Sequence, residues 1–160
     1  MHSEGGIKRS LEELLPQANP MILLSDYEQP QGKGSPVCAY VEIAEGSPFF
    51  ENELGGVPSC VVLEYMAQAM ALYTGLERLR EGERPRVGFI LGSRKIDIDI
   101  PVFKLGCRYR IEVFCSFSDE TFASFDCSVY SPSGEMVAHG VLSAFCPDGE
   151  LTPQKLEEYK

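Results

Sequence analysis

One acidic side chain stands out in the longest apolar stretch of the sequence. Glu64 is the single charged residue between Ser59 and Leu76, and Gln68 follows it four positions later. In a helix this spacing places both side chains on one face, about 6 Å apart along the axis. A carboxylate among apolar neighbours loses solvation and becomes easier to protonate, which is what general acid–base catalysis requires. Glu64 is therefore the predicted catalytic residue, and Gln68 is predicted to orient it or to bind a substrate carbonyl.

A glycine-rich turn leads directly into this stretch. The segment Gly55-Gly56-Val57-Pro58 comes immediately before Ser59. The N–H groups and the dipole at the start of a helix stabilise an oxyanion. Glycine also lets a ligand approach the backbone closely. This segment is therefore a candidate for stabilising an oxyanion of the substrate.

The catalytic candidate needs a long helix to hold it. The sequence predicts one from Ser59 to Arg80, with Ser59 as its N-cap and Gly82 as its stop. Because this helix is apolar nearly all round, it has to be covered on several sides. The sequence after Pro85 is rich in β-forming residues, and it predicts strands at Val87–Leu91, Lys95–Ile100, Tyr109–Phe117, Thr121–Tyr130 and Met136–Phe145. The predicted fold class is α+β, with one curved antiparallel sheet wrapped around one long central helix.

The first third of the chain is less regular. It predicts a helix at Ile7–Leu15, a strand at Met21–Leu24, a loop at Gln29–Pro36, a strand at Val37–Ala44 and irregular chain at Gly46–Pro58. The 160 residues have the length of one domain, so residues 1–160 are predicted to form a single one. Within it, residues 1–9 and 148–160 are predicted to be peripheral or flexible ends.

Charge is distributed unevenly along the chain. The formal net charge is −10, which argues against a nucleic-acid partner because polyphosphate would be repelled. From Arg78 to Arg110, however, nine basic and four acidic residues give +5, which leaves −15 for the remainder. A basic island of this kind suits an anionic partner or ligand of limited size. It also suits a set of solvated strand ends and loops.

The cysteines and the N-terminus indicate where the protein resides. Six cysteines occur without a C-x-x-C pair and only two histidines are present, so no metal site is predicted. The N-terminal residues contain no apolar segment typical of a secretory signal, and cytoplasmic localisation is predicted. The run from Ser59 to Leu76 is as long as a short membrane span, but Glu64 would be costly in lipid. No membrane span is therefore predicted.

Three motifs together resemble a known family. Pro48-Phe49-Phe50, then Gly55-Gly56-Val57-Pro58, then Leu63-Glu64-Tyr65-Met66-Ala67-Gln68-Ala69 are similar to segments of the hot-dog-fold 3-hydroxyacyl-ACP dehydratases. The branch associated with aryl polyene biosynthesis looks closest. Leu15–Leu24, Gly88–Lys95 and Pro101–Phe103 followed by Gly106 also fit it, so the resemblance covers about residues 10–147.

The resemblance implies a dimer with active sites at its interface, as a homodimer or as a heterodimer with another hot-dog protein. The substrate would be carried on the phosphopantetheine of acyl carrier protein (ACP) or CoA, and no other cofactor is implied. Glu64 takes the place of the carboxylate that helps the β-hydroxyl leave as water, and Gly56 and Val57 take the place of the oxyanion-binding turn. Around Glu51-Asn52-Glu53-Leu54, where the family places His-Phe-Pro, this chain has no histidine.

Three hypotheses for function follow. The first is a 3-hydroxyacyl-ACP dehydratase acting in fatty acid or polyene-type biosynthesis. The second is an acyl-CoA or acyl-ACP thioesterase in which Glu64 activates water or attacks directly. The third is a non-catalytic hot-dog subunit that binds acyl carrier protein or a partner dehydratase. The motif around Glu64 favours the first, and the missing histidine favours the other two. Without that histidine, dehydration would require Glu64 in both steps, or Glu53 or His139 brought close in space.

Overall fold

One long helix lies against one face of an antiparallel sheet. The computed structural model describes residues 7–84 and 88–147, so the predicted ends at 1–6 and 148–160 lie outside the described residues. A 3₁₀ turn at Ser59–Val61 precedes the long helix. The elements in chain order are α1 (Leu11–Leu14), β1 (Asp26–Tyr27), β2 (Val37–Glu42), β3 (Gly56–Pro58), α2 (Val62–Arg80), β4 (Phe89–Ile98), β5 (Val102–Lys104), β6 (Arg108–Ser118), β7 (Phe122–Tyr130) and β8 (Met136–Phe145).

The main sheet has six strands in the order β1-β2-β6-β7-β8-β4, all in antiparallel pairs. Alternate residues of its central strands face α2, as Ile111 in β6 and Val129 in β7 show by their complete burial. These residues pack with Met66 and Leu72 of α2 in one core. The observed architecture therefore confirms the predicted α+β class, in which a single helix provides the second layer.

The ends of α2 differ in how well the sequence predicted them. Ser59 is not the N-cap, because its N–H donates to Pro101 O at 3.1 Å within a 3₁₀ turn and the α-helix begins at Val62. At the other end Gly82 has φ +75° and its N–H donates to Leu79 O at 3.1 Å. This left-handed residue after the last turn is a glycine C-cap, so the predicted stop is confirmed.

The N-terminal segment is shorter in regular structure than predicted. The helix at Ile7–Leu15 is reduced to α1, where Ser10 accepts a hydrogen bond from the Glu13 N–H, and Ile7 is 89% exposed. Met21–Leu24 is not a strand, because its backbone is hydrogen bonded to the side chain of Gln68 in place of a neighbouring strand. The loop at residues 29–36 and the strand from Val37 are confirmed.

The observed strands agree with the prediction except in two respects: two predicted strands form one strand, and a pair of short strands was not predicted. β6, β7 and β8 are confirmed, but the two strands predicted at 87–91 and 95–100 form the single strand β4. Val87 lies outside the described residues. Irregular pairing with β8 at Ile90/Gly92 and at Ser93/Ile96 absorbs the break that the sequence suggested. The prediction of irregular chain up to Pro58 missed β3, which pairs with the equally short β5.

Candidate active site

Glu64 lies in the first turn of α2 and is half-buried. Its apolar sequence neighbours suggested that the carboxylate is enclosed in the core, whereas the structure leaves it partly exposed. Its Oε1 accepts a hydrogen bond from Gln68 Nε2 at 3.0 Å, which confirms that the two side chains share one face of the helix. The remaining exposed part of the carboxylate leaves room for a substrate atom to approach.

Gln68 is completely buried and is held by three hydrogen bonds. Its Oε1 accepts from the Leu23 N–H at 2.8 Å, and its Nε2 donates to Met21 O at 2.7 Å and to Glu64. The side chain therefore connects the chain before β1 to the start of α2. Because the amide nitrogen is fixed by Met21, it presents its second proton to Glu64. Of the two roles predicted for Gln68, orientation of Glu64 fits these contacts.

Gly56 and Val57 form part of β3, immediately before the helical segment. A Cβ at position 56 would lie 2.0 Å from Phe103 O, so glycine is required by the close approach of β5. The Gly56 N–H points to Glu51 O at 3.4 Å, and the Val57 side chain is completely buried. Substrate can therefore meet these two residues only through their backbone.

The backbone donors nearest to Glu64 lie slightly further along the chain. The Ser59 N–H is bonded to Pro101 O, and the Val62 N–H to Ser59 O. Between them, the Val61 N–H is used within the 3₁₀ turn, which starts at the Pro58 carbonyl, and only the Cys60 N–H has no preceding helical carbonyl to accept it. This donor was not singled out from the sequence, although its position after Pro58 could have indicated it.

A cavity of about 470 Å³ extends along α2 away from Glu64. Ala67, Ala71 and Thr74, on the face of the helix that carries Glu64, form one wall. The opposite wall comes from the ends of the sheet strands, and it contains aromatic side chains (Phe89, Phe122, Phe125) as well as polar ones (Ser118, Asp119, Glu120). Glu64 itself does not line the cavity, whose helix wall begins at Ala67, one turn further along, and runs to Glu81, about 21 Å along the axis.

Two of the titratable groups that line this cavity, Tyr73 and Cys115, stay protonated near neutral pH. Burial raises the pKa of Tyr73 to about 12, and its ring packs edge-on against Phe125 with 5.5 Å between centroids. Burial likewise raises the pKa of the Cys115 thiol. Both groups stay protonated at pH 7, so neither is suited to act as a base or nucleophile.

His139 is the one histidine in the described ranges, and it lies on the wrong face of the sheet to assist Glu64. It pairs with Ser128 across β7 and β8, whereas the neighbouring Cys127 is completely buried against the core. Because successive strand residues alternate between faces, His139 points away from α2. Its Nε2 lies 2.9 Å from Asp126 Oδ1 on that outer face. The Glu53 carboxylate, the other group considered from the sequence, is exposed in the turn before β3.

The basic island of the sequence is spread over several elements. Arg78 and Arg80 lie near the end of α2 and form ion pairs with Glu83 and Glu77. Arg84 follows α2, and five further cations with described placements are distributed over β4, β5 and β6: Arg94, Lys95, Lys104, Arg108 and Arg110. Of these, Lys104 is closest in the fold to the start of α2, because it is the cross-strand partner of Gly56. Its side chain is exposed.

No helix in the described part of the chain is both long and apolar enough to span a membrane. All six cysteines are free thiols in this structure. No curated protein matches the sequence significantly.

Solved structures provide the comparison of the fold. The dehydratase heterocomplex ApeI:P from Xenorhabdus doucetiae superposes with a TM-score of 0.84 and 25% identity, covering 95% of this chain and 97% of that chain. A hypothetical thioesterase with coenzyme A from Streptococcus pneumoniae TIGR4 has a TM-score of 0.59 and 15% identity, covering 81% of this chain and 91% of that one. The PaaI protein from the phenylacetic acid degradation operon of E. coli has a TM-score of 0.56 and 11% identity, with coverage of 75% and 81%.

These neighbours confirm the hot-dog fold that the motifs around Glu64 implied. In addition, the sequence matches the model of the ApeP-like family, described as ApeP dehydratase, over residues 9–157. That match includes both halves of the candidate site, namely the segment at Met21–Leu23 and the start of α2. The chain therefore belongs to the ApeP-like dehydratase family.

Proposed function

We propose that Glu64 is the proton-transfer group of a dehydration carried out on a 3-hydroxyacyl thioester. The observation that carries this proposal is the chain of hydrogen bonds from Met21 and Leu23 through Gln68 to Glu64. It fixes a partly exposed carboxylate at the start of a helix, one turn before the first residue of that helix that lines the cavity. Such an arrangement can hold a proton donor in one position while leaving it accessible to substrate.

The reaction defines what the site has to supply. The bond between the α-carbon and its proton breaks, the bond between the β-carbon and its hydroxyl breaks, and a carbon–carbon double bond forms. In our proposal the Glu64 carboxyl gives its proton to the departing hydroxyl, which leaves as water. The Cys60 N–H at the start of the helical segment would polarise the thioester carbonyl and make the α-proton more acidic. Gly56 and Val57 in β3, the other proposed substrate contacts, would border the substrate through their backbone, since the Gly56 N–H already donates to Glu51 O.

The cavity along α2 is the proposed site for the acyl chain. Its volume of about 470 Å³ falls within the range of about 300–1,000 Å³ typical of small-molecule sites. The apolar part of its lining, which includes Ala67, Ala71 and Phe125, suits a hydrocarbon chain, and this lining begins one helical turn from Glu64. The thioester would then lie at the carboxylate with the chain directed towards Thr74.

A second subunit is proposed to complete the site. The α-proton needs a base, and no histidine of the described ranges lies near Glu64. The ApeI:P structure is a complex of two different proteins. We therefore favour a dimer with another hot-dog protein that contributes the base at the interface. A homodimer remains the second possibility predicted by the sequence.

A subunit that does not catalyse is the alternative supported by a specific observation. The absence of a histidine near Glu64 among the described residues also fits a chain that does not catalyse and only binds ACP or a partner dehydratase. The thioesterase hypothesis gains less support, because the thioesterase neighbours are below 25% identity and share only the fold. It stays a prediction from the sequence.

The substrate is proposed to arrive on the phosphopantetheine of ACP or on CoA, with no further cofactor. Lys104 lies beside Gly56 and is exposed, so it is placed to meet an anionic carrier near the start of α2. Cytoplasmic localisation fits the six free thiols and the proposed carrier.

One assay separates the three hypotheses. The purified chain is incubated with a 3-hydroxyacyl-ACP and, separately, with an acyl-ACP, both alone and together with a hot-dog partner subunit. Products are followed by mass spectrometry. Loss of water supports the dehydratase, and free acid supports the thioesterase. Dehydration that requires the partner but is unchanged by Glu64→Gln would identify the chain as a non-catalytic subunit.

A further inference from the structure

The two edges of the main sheet differ in length and exposure. β1 is only two residues long, whereas β4 runs for ten residues. β4 pairs with β8 on one side and forms the end of the sheet as described. Three consecutive apolar side chains of β4 are exposed: Phe89 at 42%, Ile90 at 45% and Leu91 at 60%. A long apolar edge of this kind is a template for a strand of another subunit.

The centre of β4 is cationic and bulged. Arg94 and Lys95 lie between the pairs Ser93/Leu142 and Ile96/Gly140, so two residues of β4 stand against the single residue Val141 of β8. Both cationic side chains are exposed, and that of Lys95 is 78% exposed. The nearest described anion is Asp97, whose Oδ1 is 3.6 Å from Lys95 Nζ. Bulges and charges at an edge are the features by which proteins restrict strand pairing.

Pairing of two identical copies would bring these cations together. In an antiparallel pair with twofold symmetry and full overlap of β4, Arg94 of one copy lies diagonal to Lys95 of the second copy, at about 7–8 Å. If the register shifts by one residue in either direction, Arg94 of one copy lies directly opposite or diagonal to Arg94 of the second copy. Every such register therefore sets like charges close to the axis, where they destabilise the pair.

We propose that Arg94 and Lys95 disfavour pairing of two copies of this chain along β4 and select a hot-dog partner whose edge strand carries carboxylates at its centre. The inference rests on the partner subunit of the proposed function and specifies the surface and the charge by which it is recognised. The apolar residues at the start of β4 supply contact area for either kind of dimer. The central charges determine which dimer forms.

The net charge of the chain allows a test to distinguish general repulsion between whole molecules from local repulsion at β4. Two copies at −10 each also repel one another as whole molecules. Replacing Arg94 and Lys95 by glutamine removes two positive charges and makes the chain −12. General repulsion would then weaken self-association, whereas relief of the repulsion at β4 would strengthen it. The two effects have opposite signs.

The first experiment measures self-association by sedimentation equilibrium and native mass spectrometry. R94Q/K95Q is expected to associate with itself roughly tenfold more tightly than the unmodified chain, as expected for relief of a few close like-charge contacts. The matched control is K8Q/R9Q, which has the same net charge but changes exposed cations beside the opposite edge, where Lys8 binds Asp26. The control is expected to associate no more tightly than the unmodified chain. Equal affinities for R94Q/K95Q and the unmodified chain would overturn the proposal.

The second experiment uses a charge-reversed copy as the acidic partner. In a homodimer of R94E/K95E, four carboxylates would lie close to the twofold axis, so this variant is expected to be monomeric alone. Mixed with the unmodified chain, it is expected to form a heterodimer that native mass spectrometry separates by mass. Unfolding curves of each variant check that the fold is retained. A mixture without heterodimers would refute selection by charge at β4, and because the readout is association, it would leave the dehydratase proposal standing.

Discussion

On the side of α2 that Glu64 and Gln68 share, two adjacent strips, which we term the open face and the closed face, perform different tasks. The closed face includes Gln68, Leu72 and Gly75, and it is buried against α1 and the chain before β1. The open face includes Glu64 and Ala71, which are both partly exposed, and Ala71 lines the cavity. The hydrogen bond between Gln68 and Glu64 is the link between them. The closed face is expected to contribute to stability and the open face carries the proposed proton donor, so substitutions should separate the two properties.

The largest expected effect is on activity, from the open face. Glu64→Gln keeps the shape of the side chain but removes its ability to exchange a proton, so we expect dehydration to fall at least about 100-fold. The free energy of unfolding should change little, because the side chain is half-buried and its partner Gln68 can bond an amide. Steady-state assays on the active complex and urea unfolding measure the two properties.

The matched control for this variant is Glu53→Gln, which changes an exposed carboxylate in the turn before β3. It should leave activity within about twofold of the unmodified protein. Retention of full activity by Glu64→Gln would remove the catalytic role assigned to that side chain.

The next effect is on stability, from the closed face. Gln68→Met preserves volume but removes the acceptor of the Leu23 N–H and the donor to Met21 O. Since the Leu23 N–H lies in a buried position, we expect a loss of about 2–3 kcal/mol in the free energy of unfolding. Urea titration measures it, with Gln31→Met in the exposed loop as the control for the side-chain change itself. A loss no greater than that of the control would show that the hydrogen bonds of Gln68 to Leu23 and Met21 contribute nothing to stability.

The third effect tests the contact between α1 and α2. A Cβ at Gly75 would lie 2.4 Å from Leu14 O, so Gly75→Ala forces the two helices apart. Overpacking costs about 1–3 kcal/mol, whereas alanine at a free helical site would stabilise by about 1 kcal/mol. We therefore expect a net loss of about 1 kcal/mol in thermal or urea unfolding.

The neighbouring open-face substitution Thr74→Ala provides the contrast. Thr74 borders the cavity, so a smaller side chain there meets no steric conflict. The loss of its hydrogen bond to Met70 O is offset by the better helix propensity of alanine. A similar response of both positions would contradict the division of α2 into two faces.

Local patterns predicted most of this fold, and the exceptions have a physical reason. The alternation in β6, β7 and β8 is a signal within each strand, and the isolation of Glu64 in an apolar run located the catalytic candidate. Met21–Leu24 was assigned wrongly because its hydrogen-bonding partner, Gln68, lies more than 40 residues away. β3 and β5 are three residues each and exist only through their mutual pairing.

The proposed catalytic partner of Glu64 is the part of the site that the sequence could not predict. If the base comes from another subunit, as we propose, it leaves no pattern in this chain. What the sequence did indicate was its absence from the usual place, since residues 51–54 contain no histidine. The structure extends that observation by placing His139 on the outer face of the sheet.

The smallest expected effect concerns substrate selection and tests the open face alone. Ala71→Phe adds a ring to the cavity wall about 10 Å along the axis from Glu64, without displacing a buried side chain. A short 3-hydroxyacyl thioester ends before this point, whereas a long one has to pass it. We expect kcat/KM to fall about tenfold for long chains and to change less than twofold for short ones, because losing roughly 1.4 kcal/mol of transition-state binding corresponds to a factor of ten. Ala71→Ser, which adds only a hydroxyl, is the control for altered polarity at the same position. Equal losses for short and long chains would mean that the acyl chain does not enter this cavity, and the open face of α2 would then serve catalysis only at Glu64.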